Sequence, residues 1–128
     1  MFETRPYVEI KNNTINFESD SGTIYGSIFD CTNKDNSVEP KFVNNVVNVN
    51  CNYAGSITHN GGKSTNGIVS GNQIYIKGNQ TNSLFLGNSQ VTNNKITIDG
   101  RMKTVYFADS NKELASDVLI DNNALIYN

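Results

Sequence analysis

A chain of 128 residues has room for one domain with a modest core, and 37% apolar content places it above a disordered chain. A formal net charge of −2 without a basic cluster supplies no surface that tracks phosphates, so nucleic acid is not expected as a partner. No apolar run approaches membrane length and no signal peptide precedes the first strand-like segment, so a membrane is not expected either.

Two cysteines, Cys31 and Cys51, make no disulfide framework, and their spacing fits no common zinc motif. They read as free, partly buried thiols. His59 is the single histidine and cannot build a histidine-based metal site alone. Neither a metal nor a cofactor is expected. Asparagine is the unusual component: 22 residues, as many as Asp, Glu, Lys and Arg combined. Such an excess can mark a prion-like tract or a fold that uses Asn at turns. The asparagines fall between regular apolar pairs, which favours the fold.

Five segments superimpose along the chain. Residues 10–17 read IKNNTINF, 42–49 FVNNVVNV, 69–76 VSGNQIYI, 91–98 VTNNKITI and 120–127 IDNNALIY. The shared pattern is apolar, any, Asn or Gly, Asn, any, apolar, any, apolar. All 15 positions that should be apolar are apolar, and the interleaved ones are mostly polar. The period is two, which means strands rather than a helical repeat. Further strand-like segments lie at 23–29, 53–57, 83–86 and 104–107, so each repeat holds several short strands.

One slot is Asn in every repeat: Asn13, Asn45, Asn72, Asn94 and Asn123, spaced by 32, 27, 22 and 29 residues. The apolar residue three before it and the one two after it would face opposite ways on unbroken extended chain. Both must point inward, so the chain must bend between them. The residue just before the slot is Asn12, Asn44, Gly71, Asn93 or Asn122. Asn and Gly share tolerance for positive φ, which predicts a left-handed bend there. The slot Asn then points its amide inward, where it must be paired. Stacked at about 4.8 Å, each amide can donate to the carbonyl of the next repeat. Exposed turn residues would not demand one residue type five times running.

These features predict an all-β fold: a right-handed parallel β-helix of four to five coils with an internal asparagine ladder and no evident caps, in one segment over 1–128. The stretches NNTINF, NNKITI and NNALIY resemble the coils of the pectate-lyase-like parallel β-helix superfamily. The resemblance runs from Tyr7 to Asn128. That superfamily includes polysaccharide lyases, glycoside hydrolases, epimerases, tailspikes and adhesins. The Asn-rich, acidic, cysteine-poor coils look most like phage tailspikes and related glycan-binding bacterial proteins. The resemblance implies a polysaccharide partner, a homotrimer, and a place on a virion tail or at a cell surface. Family members usually cap the first coil with an amphipathic helix, and none is legible here. The expectation is therefore a fragment of a longer protein, or a subunit whose ends partners cover.

Function on such a fold belongs to outward faces and loops. Two outward columns can be read: Asn16, Asn48, Tyr75, Thr97 and Ile126, then Glu18, Asn50, Lys77, Asp99 and Asn128. Lys77 and Asp99 should be neighbours, forming a surface ion pair worth less than about 1 kcal/mol. A glycan groove would combine an aromatic platform with charged and amide groups, which Tyr75, Asn50, Lys77, Asp99 and Arg101 supply. Asp99 and Arg101 are the catalytic candidates. A hydrolase needs two carboxylates, and Glu18 lies three coils from Asp99, roughly 14 Å away. A lyase of this superfamily would take Arg or Lys as base, and Arg101 and Lys103 follow Asp99. Long polar loops at 30–40, 58–67 and 108–117, the last with a helical turn at 111–115, flank a short one at 87–90. That contrast suggests a notch, with His59 in a Gly-rich loop. Three functions remain: a glycan-binding segment, a fragment of a polysaccharide lyase or glycoside hydrolase, or a structural spacer.

Overall fold

A computed structural model of the chain describes residues 2–3, 9–19, 27–33, 40–54, 56–62, 67–80, 85–86, 88–100, 108–109 and 119–128. Every regular element among them is a β-strand. The chain opens with β1 (Phe2–Glu3) and then runs in tiers. The first tier holds β2 (Glu9–Lys11), β3 (Thr14–Glu18) and β4 (Ser27–Asn33). The second holds β5 (Lys41–Val43), β6 (Val46–Ala54) and β7 (Ser56–Gly62). The third holds β8 (Gly67–Ser70), β9 (Gln73–Gln80) and β10 (Phe85–Leu86). The fourth holds β11 (Asn88–Thr92), β12 (Lys95–Asp99) and β13 (Ala108–Asp109), and the fifth β14 (Leu119–Asp121) and β15 (Ala124–Tyr127).

Among the described residues strands pair with their counterparts in the next tier and not with their chain neighbours. Three five-stranded sheets result, ordered β14-β11-β8-β5-β2, β15-β12-β9-β6-β3 and β1-β4-β7-β10-β13. Every pairing is parallel. They are called here the first, second and third sheets. Over the described residues the expected all-β, parallel character is therefore present.

The predicted bend lies between the first and second sheets. Asn12, Asn44, Gly71, Asn93 and Asn122 have φ of 58°, 54°, 67°, 57° and 51°. Each is a single left-handed residue, the form that Asn and Gly tolerate at least cost. Its N–H still pairs: Asn12, Asn44, Gly71 and Asn93 donate to the carbonyls of Val43, Ser70, Thr92 and Asp121. The bend thus breaks the side-chain alternation without orphaning the backbone.

Alternation then delivers the apolar slots inward. In the second to fourth tiers Phe42, Val47, Val49, Val69, Ile74, Ile76, Val91, Ile96 and Ile98 are all buried. Ile57 and Phe85 enter the same core from the third sheet. Burying each such side chain contributes about 2 kcal/mol. Ile10, Ile15 and Phe17 of the first tier pack against this core and are partly buried. Ile120, Leu125 and Tyr127 of the fifth remain exposed.

The inward asparagines form the expected ladder, with more bonds than the sequence suggested. Asn45 Oδ1 accepts from both the backbone N–H of Asn13, at 3.0 Å, and its Nδ2, at 3.2 Å. Asn72 Oδ1 accepts the same pair from Asn45, Asn94 Oδ1 from Asn72, and Asn123 Oδ1 from Asn94. The second amide hydrogen points to the preceding tier: Asn45, Asn72, Asn94 and Asn123 donate to the carbonyls of Ile10, Phe42, Val69 and Val91. The Asn45 carbonyl in turn accepts from Gln73 N–H at 2.9 Å. Both lone pairs and both amide hydrogens of Asn45, Asn72 and Asn94 are satisfied, so their near-complete burial at 1–2% exposure carries no unpaired polar group.

A second backbone irregularity is not legible in the sequence. After Lys77, inside β9, Gly78 has a φ of 142°. A Cβ there would overlap the Cys51 carbonyl oxygen. Opposite it β6 carries a bulge, since Asn50 pairs Lys77 while Tyr53 pairs Asn79. Four sequence expectations shift: the loop expected at 30–40 begins inside β4, which runs to Asn33, and that expected at 108–117 begins with β13. Part of the loop expected at 58–67 is β7, paired with β4 and β10, so His59 lies in a strand, opposite Asp30 and Leu86. The short loop expected at 87–90 lies largely in β11. Parallel pairing between tiers supplies hydrogen-bond partners even for polar, Gly-rich sequence, which a pattern of side chains does not reveal. The strand expected at 104–107 and the helical turn at 111–115 lie outside the described residues.

Candidate functional site

The outer face of the second sheet gathers most of the candidate residues. Parallel pairing puts equivalent residues of successive tiers side by side, about 4.8 Å apart. Asn16, Asn48, Tyr75, Thr97 and Ile126 follow one another in register. So do Glu18, Asn50, Lys77 and Asp99. The first outward column is therefore present in full and the second from Glu18 to Asp99, and they bring Asn50, Tyr75, Lys77 and Asp99 together. Arg101, and Lys103 after it, lie outside the described residues.

Tyr75 stands at the middle of this face with 40% of its surface exposed, beside Val46 at 38%. Its phenol donates to Asp99 Oδ2 over 3.4 Å. The expected Lys77–Asp99 ion pair does not form, although the two are direct cross-strand partners. The ion pair among the described residues is Lys11–Glu9, at 3.9 Å. An exposed lysine gains little from a fixed partner in water and loses side-chain entropy, so register alone does not produce a bond. Lys77 keeps its ammonium exposed next to the aromatic ring's column.

Amides link the lower tiers of the face. Asn48 Nδ2 donates to Asn16 Oδ1 at 2.8 Å, and Asn50 Nδ2 to Glu18 Oε1 at 3.4 Å. Between the second, third and fourth tiers lies a shallow depression of about 180 Å³. Val46, Asn48, Gln73, Tyr75, Lys95 and Thr97 line it. Val46, Gln73 and Lys95 belong to a third outward column, one residue after the ladder Asn, that the sequence reading did not assign to the site. The signal was available, because a period of two turns that column outward too.

Chemically this surface offers one aromatic face, several amides and hydroxyls, two lysines and two tethered carboxylates. It can stack, donate and accept. Its carboxylates, Glu18 and Asp99, are three tiers apart, roughly 14 Å, and do not converge. Among the described residues no group of three His, Cys, Asp or Glu side chains could hold a metal ion. No helix among them is long and apolar enough to cross a membrane. Cys51 is buried, and desolvation pushes its thiol above the ordinary range, so the side chain packs as a neutral apolar group.

The geometry defines the class: a parallel repeat protein, all-strand over the described residues, with a buried amide ladder and a polar outer face centred on a tyrosine. No family model matches the chain, and the comparisons with curated proteins and with solved structures found no match.

Proposed function

We propose that the three sheets wind as a right-handed parallel β-helix of the pectate-lyase-like superfamily, one tier per coil, and that its second sheet binds a polysaccharide. The protein then acts as a glycan-recognition segment of a tailspike-like or bacterial surface protein. In that setting it works as a homotrimer on a virion tail or at a cell surface. The observation that carries the binding assignment is Tyr75. It is a half-exposed ring in the central tier of the second sheet, beside a depression lined by Asn48, Gln73, Lys95 and Thr97. A sugar presents an apolar face of C–H groups and an edge of hydroxyls. An aromatic platform serves the first, and nearby amides and hydroxyls serve the second.

Binding is favoured over hydrolysis because the carboxylates of this face do not approach one another. A retaining or inverting pair sits about 5–9.5 Å apart, well inside the separation of Glu18 and Asp99. The hydrogen bond from Tyr75 to Asp99 gives that carboxylate a positioning duty toward the ring.

The test is a panel of bacterial surface polysaccharides, neutral and acidic, presented to the purified chain and to Tyr75→Ala. The parent is expected to retain at least one of them. Tyr75→Ala is expected to bind it about tenfold more weakly, the loss of one stacking contact of roughly 1.5 kcal/mol. A parent that binds nothing, or a variant that binds equally well, would sink the assignment. New reducing ends or unsaturated products in the same incubations would replace binding with catalysis.

A further inference from the structure

The two outer faces of the tier stack are complementary to each other. At the fifth tier, β14 and β15 form the outer edge of their sheets, and at the first tier β2 and β3 do. The ladder has a direction, because each Asn donates forward through N–H and Nδ2 and accepts from behind through Oδ1. At the fifth tier Asn123 donates one amide hydrogen back to the Val91 carbonyl, and its N–H and its other amide hydrogen reach no acceptor among the described residues. At the first tier Asn13 Oδ1 receives no donor among them. One face offers the two donors that the other face lacks.

The apolar slots match in the same way. Ile120, Leu125 and Tyr127 are 50%, 42% and 55% exposed, where their counterparts in the inner tiers are almost fully buried. A depression of about 330 Å³, lined by Ile120, Asn123 and Leu125, opens on this face. Ile10, Ile15 and Phe17 occupy the equivalent slots on the opposite face and are only partly buried.

We propose that this chain binds a second copy of itself head to tail, the fifth tier of one copy against the first tier of the next. Registers within the chain specify the contact. Gln90 pairs Leu119 and Thr92 pairs Asp121, and likewise Glu9 pairs Lys41 and Lys11 pairs Val43. Extending that register sets Leu119, Ile120 and Asp121 of one copy beside Glu9, Ile10 and Lys11 of the next. In the second sheet Leu125 and Tyr127 meet Ile15 and Phe17. Asn123 donates to Asn13 Oδ1, and the Asn13 amide, which in the single chain donates to its own Lys11 carbonyl, turns to the Ile120 carbonyl. The contact also sets the Asp121 carboxylate against the Lys11 ammonium, two exposed groups that sit at opposite ends of one column. Each joint leaves the next face open, so the product is a rod rather than a closed dimer. This association is independent of any glycan.

Charge exchange across the joint tests it. Sedimentation of the parent should show a weight-average mass that rises with concentration, and small-angle scattering should show length growing at constant cross-section. Lys11→Asp and Asp121→Lys each put like charges across the joint, and each should weaken association roughly tenfold. Neither substitution touches the core, and circular dichroism should match the parent. The double variant, and a 1:1 mixture of the two single variants, should both recover parent-like growth. A parent that stays monomeric at every concentration overturns the proposal. So does association that ignores the single substitutions, or that fails to recover in the mixture.

Discussion

Asn45 and Asn48 lie three residues apart on neighbouring stretches of one tier, and they carry the same amide. Asn45 points inward, is 1% exposed, and accepts two hydrogen bonds while donating two. Asn48 points outward and donates one, at 2.8 Å, to Asn16. Water can replace the partner of Asn48 at almost no cost. No water replaces the partners of Asn45, so every missing bond there carries the full desolvation penalty. The two rows show that an asparagine stack is structural only where the core excludes solvent.

The largest expected effect breaks the inner row at its middle. Asn72→Ala removes the acceptor for Asn45 N–H and Nδ2 and the donor to the Phe42 carbonyl and Asn94 Oδ1. It should lower the unfolding free energy by about 4 kcal/mol in urea titration. Asn13→Ala, at the exposed end of the same row, should cost only about 1 kcal/mol. Equal losses at the two positions would mean that the ladder is not governed by burial.

Next comes the contrast between the two glycine positions. Gly78→Ala drives a methyl group into the Cys51 carbonyl at a φ that side chains avoid, and should cost about 3 kcal/mol. Gly71→Asn restores the residue type found at the other four bends. The nearest atom there is the movable Asn44 Oδ1 rather than backbone. The neighbouring pair Asn93 and Asn122 shows that amides stack at this corner, with Asn122 Nδ2 donating to Asn93 Oδ1 at 2.6 Å. Thermal unfolding of Gly71→Asn should stay within about 0.5 kcal/mol of the parent. A large loss there would show that the bend row depends on its glycine.

The smallest effect belongs to the outer row. Asn48→Ala should change stability by less than about 0.5 kcal/mol, measured in the same denaturant series. A loss approaching that of Asn72→Ala would erase the distinction between the two rows.

Much of this architecture was already in the order of the residues. A period of two specifies strands. The phase break across Asn12-Asn13 and its four counterparts specifies where the chain bends and which amide turns inward, because both follow from local backbone stereochemistry. The outward columns followed from the same counting, including the register that joins Lys77 to Asp99. What the tertiary structure alone decided depends on atoms 22 to 35 residues apart along the chain. It set the double acceptance by each ladder oxygen and the return bond to the preceding tier. It placed the polar segment around His59 in a third sheet, and it put a glycine at the Cys51 bulge. It also replaced the ion pair at Lys77 with a hydrogen bond from Tyr75 to Asp99. Side-chain pattern encodes direction, which is local. Partnership depends on what the neighbouring tier presents across about 4.8 Å, and no single repeat contains that information.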